Sequence, residues 1–246
     1  SSSDGGPILS LERRISMLFS KLTTPQHTQE IRREFTTFVT SLTGFDRELE
    51  CRAIRSRDVR QVTGTPHDVF DSLDDLNRSG YDIFVTVNET DGKDIKGANV
   101  TRVRALFADF DGSPLSNLDR IPLKPSFTVN TSPGKYHAYW LIDDCPLEQF
   151  KPMQQKLAQI LDSDPAVCDL PRIMRVPGFY HLKGDPFMVT IDCPEQVNRH
   201  SFADIKNAIS SLAPVNEVTN RYSLKMGCNE GSRNTALTSL AGRLIH

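Results

Sequence analysis

Residues 102–112 read RVRALFADFDG, and this stretch decides how the chain is interpreted. It is mostly apolar up to Phe110, and such a short apolar run predicts a buried β-strand. Asp109 and Asp111 stand two residues apart at its end, so an extended backbone would project both carboxylates from one face. Neighbouring carboxylates repel each other, and a divalent cation relieves the repulsion because its hard charge suits oxygen ligands. The stretch therefore predicts either a metal-binding strand end or a solvated strand end before a turn at Gly112.

Helical and strand patterns alternate on both sides of this strand. Periodic apolar residues predict helices over residues 11–22, 31–42, 67–78, 147–161 and 202–212. Alternating or short apolar runs predict strands over residues 49–55, 81–87, 102–110, 126–130, 136–142 and 187–191. The interleaving predicts an α/β or α+β fold with one main sheet.

Changes in composition divide the chain into four segments. Residues 1–9 are expected to form a flexible leader, and residues 10–212 form the main domain. A polar, irregular stretch predicts a linker over residues 213–228. A helical pattern resumes over residues 229–246, and we interpret it as the start of a helical C-terminal domain that is truncated here.

Composition excludes several classes of protein. Twenty-nine Lys and Arg residues balance 31 Asp and Glu residues, so nucleic-acid contact would need a local basic patch. Five widely spaced cysteines without a C-x-x-C pair argue against a disulfide framework and against structural zinc, and they indicate a cytoplasmic protein. No apolar run reaches the roughly 18–20 residues of a membrane span, so no membrane contact is expected.

A second polar cluster, TSPGKYH, occupies residues 131–137 at a predicted hairpin turn. Ser132, Lys135, His137 and the backbone N–H groups of a tight turn can bind phosphate oxygens. The alternative for His137 is an ordinary hydrogen-bonded strand residue.

The third cluster, DSDPAVCDLPRIMRVPGFYHLK, occupies residues 162–183. It contains acids, two arginines, a histidine and a lysine, together with prolines and a Pro-Gly step that restrict the backbone. A charged, solvated loop with scattered ion pairs is the alternative, but it does not explain the rigidity that proline and glycine impose.

Together the three clusters resemble the motifs of the archaeo-eukaryotic primase superfamily, specifically the RepB-like primases and primase-polymerases of plasmids and phages. The order matches that family over residues 81–192: a D-x-D strand, a Ser/Gly turn ending in His, and an acid followed by R-x-x-R-x-P-G. The resemblance implies an RRM-like antiparallel palm sheet that carries Asp109, Asp111 and Asp164. It also implies a small N-terminal α/β unit and a C-terminal helical extension.

The resemblance also assigns roles to individual residues. It implies that Asp109, Asp111 and Asp164 bind two metal ions and, with His137, form the catalytic set. Asp162 and Asp169 stay open as alternatives for the third ligand. The residues expected to bind the nucleoside triphosphate are Ser132, Lys135, His137, Arg175 and His181. Those expected to contact the template or a phosphate are Arg172, Lys183, Arg52 and Arg55.

The implied activity is that of a template-dependent nucleotidyltransferase, a primase or primase-polymerase. It would use Mg²⁺ or Mn²⁺ to join nucleoside triphosphates on a single-stranded DNA template, with a helicase domain or a separate helicase as partner. Two alternatives stay open: a non-catalytic DNA-binding domain of a replication initiator, and a metal-dependent D-x-D glycosyltransferase.

Overall fold

The computed structural model describes residues 10–21, 24–44 and 47–214. The predicted leader, most of the predicted linker and the predicted start of a C-terminal helical domain lie outside the described residues. No helix within the described ranges is long and apolar enough to cross a membrane.

The described residues form helices and strands in alternation. The helices are α1 Leu11–Lys21, α2 Pro25–Thr43, α3 Pro66–Arg78, α4 Leu147–Leu161 and α5 Phe202–Ser210. The strands are β1 Leu49–Arg55, β2 Asp58–Gly64, β3 Asp82–Thr86, β4 Glu89–Thr90, β5 Val100–Arg102, β6 Ala105–Asp111, β7 Phe127–Ser132, β8 Lys135–Ile142, β9 Ile173–Arg175, β10 Tyr180–His181, β11 Phe187–Met188, β12 Thr190–Asp192 and β13 Arg199–His200. Short 3₁₀ helices cover Gly97–Asn99 and Leu115–Arg120.

The mixed fold predicted from the sequence is confirmed, but the prediction of one main sheet is wrong. A first sheet has the order β2-β1-β3-β9, with antiparallel neighbours throughout. The second contains β12, β7, β8 and β6 as antiparallel neighbours, and β13 extends it in parallel along the end of β8. The sequence does not predict two strands of the first sheet, β2 and β9. Strand β2 is largely exposed and β9 has only three residues, so neither gives a clear apolar pattern.

Helix α2 packs against α3 and against residues of the second sheet. Its buried residues recur at helical spacing, and Thr24 caps its start by accepting a hydrogen bond from the N–H of His27. The Phe35 ring packs against Phe70 of α3, whereas the Phe38 ring packs against Phe127 and Tyr139 of the second sheet. One helix therefore joins α3, which packs on the first sheet, to the second sheet by aromatic contacts in the core.

The Pro-Gly step of the third sequence cluster has a packing role. Gly178 has a φ of 90°, and a Cβ built on it would lie 2.4 Å from the carbonyl oxygen of Ile31 in α2. Only glycine permits both this backbone conformation and this close approach. The step therefore seats the segment between β9 and β10 directly on α2.

Candidate active site

The acidic strand β6 pairs with β8 in a register that aligns charged and aromatic side chains. Phe107 lies opposite Tyr139, Asp109 opposite His137, and Asp111 opposite Lys135. Cross-strand partners project from the same face, so this face runs from a buried aromatic pair to an exposed ionic pair. Nζ of Lys135 lies 2.7 Å from Oδ1 of Asp111, and Nε2 of His137 lies 3.9 Å from Oδ1 of Asp109.

The third acid reaches this strand through its backbone. Asp164 lies in the loop after α4 and not on the second sheet, which contains β6. This corrects the expectation that one sheet carries all three acids. Its N–H donates to the carbonyl oxygen of Asp109 (2.9 Å), as a neighbouring strand would. Oδ1 of Asp164 accepts a hydrogen bond from the N–H of Ala166 (2.9 Å), which holds the side chain in a local turn.

The C-terminal end of α4 is tied to the segment that follows β6. The carbonyl oxygen of Asp162 accepts a hydrogen bond from Ser113, that of Leu161 from Asn117 (2.8 Å), and that of Ile160 from Arg120. These bonds satisfy carbonyl groups that a helix end leaves without partners. They also fix where the Asp164 loop begins.

The second cluster forms the predicted hairpin, with the turn at Pro133 and Gly134 between β7 and β8. His137 is buried beneath this turn, and its Nδ1 lies 3.2 Å from the hydroxyl of Tyr139. When that hydroxyl donates to Nδ1, the ring carries its proton on Nε2, the nitrogen that faces Asp109.

The third cluster supplies basic side chains from the first sheet. Arg175 on β9 lies opposite Phe84 of β3, its guanidinium is 4.9 Å from the Phe84 ring centroid, and Nη1 is 2.9 Å from Oδ1 of Asp82. The same Asp82 oxygen accepts the N–H of Leu182 (2.8 Å). Nδ1–H of His181 donates to the carbonyl oxygen of Thr131 (3.2 Å).

These elements enclose one open cleft of about 850 Å³. Ten of the twelve site residues predicted from the sequence line it: Asp109, Asp111, Ser132, Lys135, His137, Asp164, Arg172, Arg175, His181 and Lys183. Of the three acids considered for the third ligand position, Asp164 lines the cleft. Asp169 is instead paired with Arg172, and Asp162 ends α4 in a left-handed conformation.

Arg52 and Arg55 do not line the cleft. Arg55 donates to the carbonyl oxygen of Ser79 (2.9 Å) and stacks on Tyr81 in a separate groove. Arg52 lies beside Phe84 in the register of β1 and β3, so it occupies the sheet face that continues from the cleft wall.

The cleft also contains residues that the sequence did not single out. Phe84 and Phe187 are partly exposed aromatic residues in its lining, and Asp185 adds a further acid. Phe84 had a detectable signal, since it alternates with core residues in the YDIFVTV run. Phe187 had none, because its cross-strand pairing with His181 depends on a turn between short strands.

Burial in the cleft shifts the pKa values of Asp109 and His137 in opposite directions. Burial raises the pKa of Asp109 to about 6, and the charges of Asp164 and Asp111 raise it as well. Burial lowers the pKa of His137 to about 3, with a smaller effect from Arg175, so this imidazole is neutral near pH 7. The pKa of His181 is also lowered, first by burial and then by Arg175.

The acids are the donor set that a hard divalent cation prefers. Three carboxylates face one cleft, and the pKa of Asp109 is raised first by burial and then by the charges of Asp164 and Asp111; bound positive charge would offset both effects. Within residues 10–21, 24–44 and 47–214, no three His, Cys, Asp or Glu side chains are arranged closely enough to hold a metal ion. Asp111 is paired with Lys135 instead, so it could bind a cation only by giving up that ion pair.

Comparison with known proteins points to one family. The RepB DNA-primase N-terminal domain matches residues 91–213. Among solved structures, the AEP domain of the cyanophage S-2L primase-polymerase is similar, with a TM-score of 0.61 and 19% identity, covering 72% of this chain and 97% of that one. The catalytic domain of primase RepB′, in complex with initiator DNA, is similar with a TM-score of 0.50 and 17% identity, covering 74% of this chain and 93% of that one. A second structure of RepB′ is similar with a TM-score of 0.51 and 17% identity, covering 86% of this chain and 68% of that one. At these identities the structural likeness concerns the fold. No curated protein sequence matches the chain.

Proposed function

The chain belongs to the RepB DNA-primase N-terminal domain family, and from that premise we propose that it is a template-dependent nucleotidyltransferase. It would join nucleoside triphosphates on single-stranded DNA as a primase, a primase-polymerase or both. The observation that carries the proposal is the convergence of three separate sequence clusters on one cleft, which is lined by both acidic and basic side chains.

Asp109, Asp111 and Asp164 would hold two divalent cations, Mg²⁺ or Mn²⁺. When bound, such cations lower the pKa of an attacking hydroxyl and neutralise charge on the leaving pyrophosphate. Ionised carboxylates bind metal, so a cation competes with the proton on Asp109, and its binding weakens as the pH falls below about 6. The backbone bond from Asp164 to Asp109 supports the proposal because it fixes the third acid relative to the first two.

Ser132, Lys135, His137, Arg175 and His181 would bind the triphosphate. Lys135 would exchange its ion pair with Asp111 for a phosphate oxygen as the cation takes its place. Arg175 is held by Asp82 and Phe84, so its guanidinium is pre-organised to meet the outer phosphates. A triphosphate would favour the protonated form of His181, because Nε2 then donates to a phosphate oxygen. That nitrogen is buried without a partner among the described residues.

The template strand would enter the cleft beside its basic side chains. Arg172 and Lys183 line the cleft, and Arg52 lies on the adjoining sheet face, so these are the residues that we propose for template phosphates. Phe84 and Phe187 offer partly exposed rings on which bases can stack. The solved structure of RepB′ with initiator DNA supports DNA as the partner. A helicase partner stays a prediction from the family resemblance.

The decisive experiment is gel-resolved synthesis on single-stranded DNA, with and without a primer, with each nucleotide type and with Mg²⁺ or Mn²⁺. Asp109→Ala should abolish incorporation while the circular dichroism spectrum stays unchanged. Asp162→Ala is the matched control outside the cleft and should retain incorporation. Incorporation that survives Asp109→Ala would overturn the site assignment.

The same protein preparation also tests the two alternatives. DNA binding without any incorporation would indicate an initiator domain. Transfer of sugar from a nucleotide-sugar donor would indicate a glycosyltransferase.

A further inference from the structure

Two buried amide side chains bind the backbone behind the cleft in the same way. Gln154 of α4 and Asn77 of α3 are each 1% exposed, although both lie on apolar helix faces. A primary amide can donate and accept at once, so it can pair with a backbone N–H and a C=O as a neighbouring strand does. Each of these amides makes three hydrogen bonds to the backbone of segments that carry cleft residues.

Gln154 joins the two segments that carry the acids. Its Oε1 accepts the N–H of Phe107, and its Nε2 donates to the carbonyl oxygens of Phe107 and Val167, all at 2.9 Å. Phe107 precedes Asp109 by two residues on the same strand, and the N–H of Val167 donates to the carbonyl oxygen of Asp164 (3.3 Å). The amide thus bridges the acidic strand and the loop of the third acid.

Asn77 joins the two segments that carry or hold the basic residues. Its Oδ1 accepts the N–H of Tyr180, and its Nδ2 donates to the carbonyl oxygens of Tyr180 and Tyr81, all at 2.8 Å. Tyr180 directly precedes His181. Tyr81 directly precedes Asp82, the acid that holds Arg175.

From this parallel we propose that Gln154 and Asn77 are positioning residues that set the two halves of the cleft independently. Gln154 sets the acidic half, defined as Asp109, Asp111 and Asp164. Asn77 sets the basic half, defined as Arg175 and His181. The two amides share no bonding partner and belong to different helices, so their effects should be separable. This inference rests on the proposed function, because it takes the acidic half as the cation site and the basic half as the triphosphate site.

The test measures two affinities on four variants of the whole chain. The Mn²⁺ affinity is read by electron paramagnetic resonance of free Mn²⁺ without nucleotide. The affinities for dATP and ATP are read by calorimetry in EDTA. Gln154→Met and Asn77→Leu remove all three hydrogen bonds at each site. Gln154→Glu and Asn77→Asp are milder variants: each acid is buried against carbonyl oxygens and so stays protonated, keeping the acceptor and one donor while losing the other. They decide the result if the first pair does not fold.

A double dissociation is expected. Gln154 variants should weaken Mn²⁺ binding by about 10- to 100-fold, the range for residues that support a metal ligand, and leave nucleotide binding within about threefold. Asn77 variants should weaken nucleotide binding by about tenfold and leave Mn²⁺ binding within about threefold. General loosening of the fold would move both affinities in both variants.

Two failures can be told apart. If each variant loses both affinities or neither, the positioning roles are overturned while the proposed function stands. If the wild-type protein binds neither Mn²⁺ nor nucleotide, the proposed function itself fails, and with it the inference.

Discussion

Replacing Asp109 with asparagine should stabilise the metal-free protein at neutral pH. The side chain of Asp109 is 27% exposed, and its charge is disfavoured by burial and by the neighbouring charges of Asp164 and Asp111. An asparagine has nearly the same shape and no charge. The substitution therefore removes the unfavourable free energy of holding an ionised carboxylate at this position in the folded protein.

The magnitude follows from the pKa. The rise from 3.8 to about 6 in the folded state corresponds to about 3 kcal/mol. Partial exposure reduces that value, and we expect a gain of about 1–2 kcal/mol in the free energy of unfolding. Between pH 3.8 and about 6 the folded state binds more protons at this carboxyl than the unfolded chain does, so stability falls as the pH rises through this range. The gain from Asp109→Asn should therefore be full above about pH 7 and vanish below about pH 4.

Urea denaturation in EDTA at pH 4, 6 and 8 measures this difference. Asp119→Asn is the matched control, because Asp119 is an exposed acid outside the cleft, and it should change stability by less than about 0.5 kcal/mol at each pH. Added Mn²⁺ should then reverse the order at pH 8. A cation at 100 times its dissociation constant stabilises the wild type by about 2.7 kcal/mol, whereas Asp109→Asn loses a ligand.

The reasoning would be refuted by either of two results. One is an Asp109→Asn protein that is no more stable than the wild type at pH 8 in EDTA. The other is a gain of equal size at pH 4 and pH 8, because a benefit independent of pH cannot come from the charge of this carboxylate.

Three further predictions concern the other clusters. Gly178→Ala should lose about 3 kcal/mol or more in urea denaturation, since its Cβ would meet the α2 backbone, whereas Gly134→Ala, with a φ of 75° and open space around it, should lose only about 1–2 kcal/mol. Equal losses would show that the contact with α2 is unimportant. His137→Ala should weaken triphosphate binding by the same factor at pH 5.5 and pH 8, because a pKa of about 3 keeps the imidazole neutral at both, and a factor that grows at low pH would contradict this. Arg52→Ala should weaken binding of a single-stranded oligonucleotide and reduce the dependence of log Kd on log salt by about 0.7, whereas Arg55→Ala should not, and the reverse result would assign the template path to the other groove.

Local sequence pattern was enough to predict the acidic strand. Asp109 and Asp111 follow an apolar run with strand periodicity, and strand geometry alone places them on one face. The hairpin that presents Lys135 and His137 was predicted for the same reason, since turn residues separate two strand patterns. Such features depend on residues close together in the chain.

Residues that depend on distant pairing could not be placed in this way. Arg175 reaches the cleft because β9 pairs with β3, which lies about 90 residues earlier in the chain. The family resemblance predicted its role, but no local signal marks a three-residue strand between prolines. Arg52 and Arg55 stand three residues apart in β1, so strand alternation already places them on opposite faces. The sequence could not show which of these faces adjoins the cleft, because that depends on the pairing of β1 with β3.

The position of the third acid shows why the free edge of β6 matters. One side of this strand pairs with β8, and its other side must satisfy backbone groups near the core. Gln154 binds the N–H and C=O of Phe107, and the N–H of Asp164 binds the C=O of Asp109. The requirement that buried backbone groups be paired thus brings the third acid to the first two.

A trace of this arrangement is present in the sequence. Gln154 follows Phe150 by four residues and precedes Leu157 by three, so it interrupts an apolar helix face at a core position. Asn77 follows Leu73 by four residues and does the same in α3. A buried amide must find partners inside the protein, and backbone that is not already paired in a sheet or helix is where unused donors and acceptors remain. An amide on an apolar helix face therefore predicts a free strand edge or a loop behind it. In this protein that backbone is the free edge of β6 at Phe107, the edge of β10 at Tyr180 and the loop at Val167.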